Sequence, residues 1–201
     1  MTPRSLIRRA RKVLIMAHLE PDGDAIGSAL ALGRGLETVE KEVRLACEGP
    51  LPSAFDFLPG IERFELDGPQ GEDLAIALDA SDLSRFGFIG EEVGRLGLPL
   101  LNIDHHITNT MFGTVNLVRP QASATAEIVY DLLVEFRVPL DPLLATYLLV
   151  GIVTDTQGFR TPSTTIRSLE LALRLMRAGA PLSQVTANLL NRRDLAELRL
   201  W

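Results

Sequence analysis

At 201 residues, with 46% hydrophobic and 23% charged side chains, the chain is long enough to bury a substantial core and has the balance of a globular domain. Its formal net charge of −6 excludes a global basic field for duplex nucleic acid and leaves small anionic substrates open. No apolar run approaches the ~18 residues that a membrane span needs; the longest, Leu143 to Val153, is interrupted by Thr146, Tyr147 and Gly151.

The first element carries Arg4, Arg8, Arg9, Arg11 and Lys12. It reads as a solvated helix and not a leader, because the apolar run from Val13 stops at His18 and Glu20. Val13 to Ala17 is the first strand, His18 to Gly23 a polar turn, and Asp24 to Glu40 a helix with Ile26, Leu30, Gly33 and Leu36 at helical spacing. Val43 to Cys47 is the second strand, ended by Gly49 and Pro50, and Ile61 to Leu66 the third. Cys47 is the single cysteine, so no internal disulfide forms; a reducing, cytoplasmic compartment is expected.

The wholly apolar run Leu74 to Leu78 is a central strand ending in Asp79. A helix over Ser84 to Leu96 leads to a fifth strand, Pro99 to Ile103, ending in Asp104. Alternation of this kind predicts an α/β fold, a parallel five- to six-stranded sheet flanked by helices. From Ala122 the pattern becomes a helical C-terminal part: Ala124 to Phe136, Pro142 to Val153, Thr164 to Ala178 and Ser183 to Leu190. Ser163 or Thr164 is the expected N-cap of the third of these, and Gly179 its stop. Asp194 to Trp201 starts a short amphipathic helix, which reads as a connector toward a second domain.

Acidic and imidazole groups gather at the ends of these elements. His18, Glu20, Asp22 and Asp24 follow the first strand, Asp79 and Asp82 the fourth, and Asp104, His105 and His106 the fifth; Asp155 closes a buried helix. In a parallel sheet the carboxyl ends of the strands share one edge, where ligands bind. One His or Asp after a strand is ordinarily a turn or cap residue. Here all three histidines of the chain recur with carboxylates at successive strand ends. Such crowding raises carboxylate pKa values unless cations neutralise it. Mixed imidazole and carboxylate donors without thiolate suit Mn²⁺, Co²⁺ and similar ions, and so many donors point to two of them. No Gly-Lys-Ser/Thr phosphate loop is present.

The ordered set His18-x-x-Pro21-Asp22-Gly23-Asp24, Asp79-x-Ser81-Asp82, Asp104-His105-His106-x-x-Asn109 and Gly151-Ile152-Val153-Thr154-Asp155-Thr156 resembles the four motifs of the DHH phosphoesterases. Ser123-Ala124-Thr125-Ala126-Glu127 resembles a helix start of their nanoRNase and pAp-phosphatase branch.

The resemblance implies two divalent ions, Mn²⁺ first with Mg²⁺ or Co²⁺ as alternatives. His18, Asp22 and Asp79 would hold one, and Asp24, Asp79, His105 and Asp155 the other, with Asp79 bridging. His106 would lie beside the substrate phosphate, Asp104 would orient the histidines, and Ser123 and Thr125 would contact phosphate or cap their helix. The implied reaction is in-line hydrolysis of short single-stranded oligoribonucleotides or of 3′-phosphoadenosine 5′-phosphate. Cyclic or linear dinucleotides and pyrophosphate are alternative substrates, and a non-catalytic nucleotide-binding module is the alternative of another class. The resemblance further implies a catalytic domain over residues 1–180, connector helices over 181–201 toward a missing C-terminal domain, and a homodimer. One departure is Gln157, where the family often has Gly directly after Asp-Thr.

Overall fold

The structure is a computed structural model and describes residues 1–190. The segment Asp194 to Trp201 lies outside the described residues. Six parallel strands form one sheet: β1 (Lys12–Met16), β2 (Glu42–Ala46), β3 (Phe64–Glu65), β4 (Leu74–Leu78), β5 (Leu100–Asp104) and β6 (Val115–Val118). Their spatial order is β3-β2-β1-β4-β5-β6, and every pairing is parallel. The chain starts in the centre and reverses direction across the sheet between β1 and β4.

The helices are α1 (Pro3–Arg9), α2 (Gly23–Glu37), α3 (Gly87–Leu96), α4 (Thr125–Glu135), α5 (Pro142–Asp155), α6 (Ile166–Arg177) and α7 (Leu182–Leu190). Strand side chains alternate between faces. Leu14, Met16, Ala75 and Ala77 pack under Phe86, Ile89 and Val93 on the α3 side. Val13, Ile15, Leu74, Ile76, Leu78, Leu101 and Ile103 pack with residues of α2, α4 and α5 in the larger core. Burying that many full aliphatic side chains stabilises the fold by roughly 1.5–3 kcal/mol each before entropy is counted.

Helix α5 is buried nearly all round, which explains its continuous apolar run, and it lies against α2 with no room for a side chain between them. A Cβ on Gly27 would stand 2.4 Å from the Tyr147 carbonyl oxygen, and one on Gly151 would stand 2.5 Å from Asp24 Oδ1. That close approach carries the C-terminal end of α5, with Asp155, to the sheet edge. Helix α7 buries Val185 in the same core.

Several boundaries differ from the sequence reading. The third strand is two residues long, because Gly60 enters a left-handed conformation and Ile61–Arg63 turns in a 3-10 helix first. The helix expected from Ser84 is a 3-10 turn, Leu83–Phe86, broken from α3 by the positive φ of Gly87. The N-cap of α6 is Thr165, not Ser163 or Thr164; its hydroxyl accepts from Ser168 N while Ser168 Oγ closes a capping box. The sheet has the upper of the two expected strand counts, with β6 at a place where the sequence reading puts no strand.

Candidate metal centre

β1, β4 and β5 are neighbours that point the same way, so His18, Asp79 and the run Asp104-His105-His106 emerge at one edge. Asp22 caps α2: its Oδ1 accepts from the backbone of Asp24 and Ala25, which leaves Oδ2 outside the cap. Asp79 follows β4 with a left-handed backbone, φ 59°, that turns its carboxylate into the site. Three groups of donor atoms lie within 4.8 Å of one another: His18, Asp22 and Asp79; Asp24, His105 and Asp155; Asp79, His105 and His106.

The imidazoles are oriented from behind. His18 Nδ1 lies 2.7 Å from the Leu19 carbonyl and His105 Nδ1 3.3 Å from the Ala122 carbonyl, so both turn Nε2 forward. His105 Nε2 is buried without a hydrogen-bond partner, although Asp155 Oδ2 stands 2.9 Å away and Asp79 Oδ1 3.5 Å away. A buried imidazole nitrogen set beside two carboxylates is a donor arrangement that suits a cation. His106 differs: its Nδ1 donates to the fully buried Asp104 at 2.7 Å, and half of its ring faces outward. Asp104 also accepts from His105 N and from Asn109 Nδ2.

The electrostatics follow from the crowding. Burial, then the charges of Asp79, Asp155 and Asp22, push the Asp24 carboxyl well above the usual range. Burial, Asp22 and Asp155 raise Asp79 to about 7. Burial works against a charge on His105, yet Asp155, Asp79 and Asp104 raise it to about 9. The hydrogen bond that His106 donates to Asp104 raises His106 despite burial, and burial of Asp104 itself is outweighed by His106 and Asn109, which hold it ionised. Without cations the array therefore keeps protons that metal binding would displace.

Ser123 and Thr125 are both fully buried and already bonded. Ser123 Oγ donates to Glu127, and Thr125 Oγ1 donates to Asp79 Oδ1 at 2.9 Å. The N-terminus of α4 holds a carboxylate: Thr125 N and Ala126 N donate to the two oxygens of Asp24, at 2.5 and 2.9 Å. A helix N-terminus is suited to such an anion. Asp82 lies apart from the donor groups, capping the turn at Ser84 N. The contacts of Thr125 and Glu127 behind the site were not legible, because their partners are distant or depend on which way the turn faces. Gln157, in the family's glycine position, adopts φ 47° and Gly158 φ 70°.

The model of the DHH family, N-terminal domain, matches residues 12–152. Among curated proteins, a "Bifunctional oligoribonuclease and PAP phosphatase NrnA" of Thermus thermophilus is 36% identical over 186 residues, covering 88% of this chain and 53% of that protein. The protein of the same name from Bacillus subtilis is 28% identical, covering 80% of this chain and 51% of its own length. The chain therefore spans about half of these relatives. Among solved structures, an exopolyphosphatase-related protein from Bacteroides fragilis superposes with a TM-score of 0.88 at 25% identity, covering 98% of this chain and 61% of that one. A putative family II inorganic pyrophosphatase of Methanococcus jannaschii gives 0.69 at 25% identity, covering 90% and 60%. With the family model matching from β1 into α5 and the four motif groups meeting at one sheet edge, the chain belongs to the DHH family.

Proposed function

We propose that this chain is the catalytic domain of a two-metal phosphoesterase that hydrolyses short single-stranded oligoribonucleotides and 3′-phosphoadenosine 5′-phosphate. The observation that carries the reading is that Asp79 belongs to two donor groups at once, beside His18 and Asp22 on one side and beside His105 on the other. Residues His18, Asp22 and Asp79 would hold one ion and Asp24, Asp79, His105 and Asp155 the second, with Mn²⁺ the ion that best suits these donors. Two such ions supply an activated water and neutralise charge on the phosphoryl oxygens.

The chain's own residues do the rest. Asp104 accepts from His106 Nδ1 and favours the protonated ring, so an Nε2–H faces outward to donate to a phosphoryl oxygen or the leaving oxygen. Thr125 fixes one oxygen of Asp79, and the first turn of α4 fixes both oxygens of Asp24, so the carboxylates meet their ions already oriented. The reading includes a second domain supplied by the rest of a longer protein, which would close over the nucleotide in the cytoplasm. The names of the curated relatives support the substrate class.

The test is Mn²⁺-dependent hydrolysis of a 5′-labelled RNA dinucleotide, 3′-phosphoadenosine 5′-phosphate, a cyclic dinucleotide and pyrophosphate, with Asp79→Asn as control. Turnover of the first two that disappears in the variant supports the reading. Preference for pyrophosphate would move the chain to the pyrophosphatase reading. An intact chain that binds no Mn²⁺ would remove the metal assignment altogether.

A further inference from the structure

The three histidines are supported unequally. His106 has a carboxylate directly behind it; His105 has a peptide carbonyl, that of Ala122. The other end of that same peptide unit is the N–H of Ser123, which donates to Glu127 Oε1 at 3.3 Å. Glu127 is 2% exposed, its Oε1 also accepts the Ser123 hydroxyl, and its Oε2 is buried without a hydrogen-bond partner. Arg167 Nε approaches that oxygen only to 3.5 Å. A carboxylate, a peptide and an imidazole therefore stand in series: Glu127 Oε1, then N–H and C=O of the Ala122–Ser123 peptide, then Nδ1–H of His105.

We infer that Glu127 is a positioning residue for the metal centre, acting on His105 through the Ala122–Ser123 peptide. A negative charge at the N–H end of an amide draws its dipole outward and enriches the carbonyl oxygen. Hydrogen bonds in such chains strengthen one another by about 10–30% each. The richer carbonyl holds Nδ1–H more firmly, fixes the tautomer and leaves the lone pair on Nε2. This is the service a carboxylate usually gives a metal-bound histidine by direct contact. At His105 a neutral peptide stands between the carboxylate and the ring. His106 instead has the Asp104 carboxylate in direct contact at 2.7 Å. The two neighbours in sequence thus differ in what stands behind each ring.

The plainer role for Glu127 is to cap α4, since it is the third residue of that helix and reaches back to the turn before it. Glutamine performs that task equally well, so Glu127→Gln separates the two. The inference rests on the two-metal reading, and titration of Mn²⁺ into wild-type and E127Q protein by calorimetry tests both. Two ions on wild type, with one weakened about tenfold in E127Q at unchanged Tm, support the relay; direct carboxylate partners of metal histidines are worth roughly 10–100-fold. Equal affinities in the two proteins would overturn it and leave capping. A wild-type chain that binds no ion would overturn the metal reading, and the relay with it. A second measurement needs no variant: imidazole ¹⁵N shifts of the Zn²⁺-loaded wild-type protein. Protonated Nδ1 and metal-bound Nε2 on His105 agree with the relay; a metal-bound Nδ1 overturns it.

Discussion

Gly27→Ala tests the joint that brings Asp155 to the sheet. In an isolated helix the change gains about 1 kcal/mol, because alanine loses less backbone freedom. Here the added methyl would lie 2.4 Å from the Tyr147 carbonyl oxygen and 3.2 Å from Gly151 N, both backbone atoms of α5. Neither can rotate away, so α2 and α5 must separate by about an ångström. Overpacking of this kind costs roughly 1–3 kcal/mol, and contact with buried backbone on two sides places it at the upper end. Net destabilisation is about 2 kcal/mol, or about 4–8 °C in Tm for a chain of this size. The same shift parts Asp24 on α2 from Asp155 on α5, so Mn²⁺ affinity falls as well. Gly94→Ala on the exposed end of α3 is the internal control: its methyl meets only Leu83 Cδ2 at 3.6 Å, and stability should rise by up to about 1 kcal/mol. The assay is thermal unfolding in chelator and again in Mn²⁺. If G27A unfolded at or above the wild-type temperature, the close-packed joint would be refuted.

Three further outcomes are expected. Asp79 at about 7 and His105 at about 9 both lie above their ordinary 3.8 and 6.5, so the folded state holds extra protons. That stabilisation is complete below the ordinary values and lost as pH rises through the folded ones; the Tm of chelated protein should therefore fall from about pH 4 to about pH 9, and a rise over that range would contradict the assignment. Asp22→Ser keeps a good cap on α2 and should unfold like wild type in chelator, whereas Asp22→Ala loses about 1 kcal/mol; both should bind Mn²⁺ more weakly by calorimetry, and full affinity in D22S would remove Asp22 from the ligands. Gln157→Gly relieves a left-handed side-chain clash worth roughly 1–2 kcal/mol against a loss of about 0.5–1 kcal/mol in chain entropy. Urea unfolding should show a gain of about 0.5–1 kcal/mol by that difference, and a loss would show that the position carries no strain.

The convergence of His18, Asp79 and His105 was legible because each closely follows the end of an apolar strand, and a parallel sheet brings such ends together whatever the loops between them do. Strand β6 was not legible: Val115-Asn116-Leu117-Val118 is short, lies at the sheet edge and buries only Val115 fully, so neither periodicity nor hydrophobicity marks it. The break at Gly87 and the turn at Gly60 depend on positive φ, which a glycine permits but does not announce. Ser123 and Thr125 were open between capping and phosphate contact on sequence. In the fold Thr125 spends its hydroxyl on Asp79, distant in sequence, and Ser123 spends its own on Glu127, which sequence spacing alone did not reveal.

The left-handed backbone at Asp79 also governs which substitutions the protein can absorb. Asparagine and glycine adopt that conformation readily, whereas alanine and most others carry a steric penalty of roughly 1–2 kcal/mol there. Glutamate would keep the charge yet inherit the penalty, so the commonest acidic exchange is disfavoured at this position. Among single changes of this residue, Asp79→Asn and Asp79→Gly fit the backbone best. Either change removes a carboxylate common to two donor groups without straining the backbone, so proteins that carry it should remain well folded.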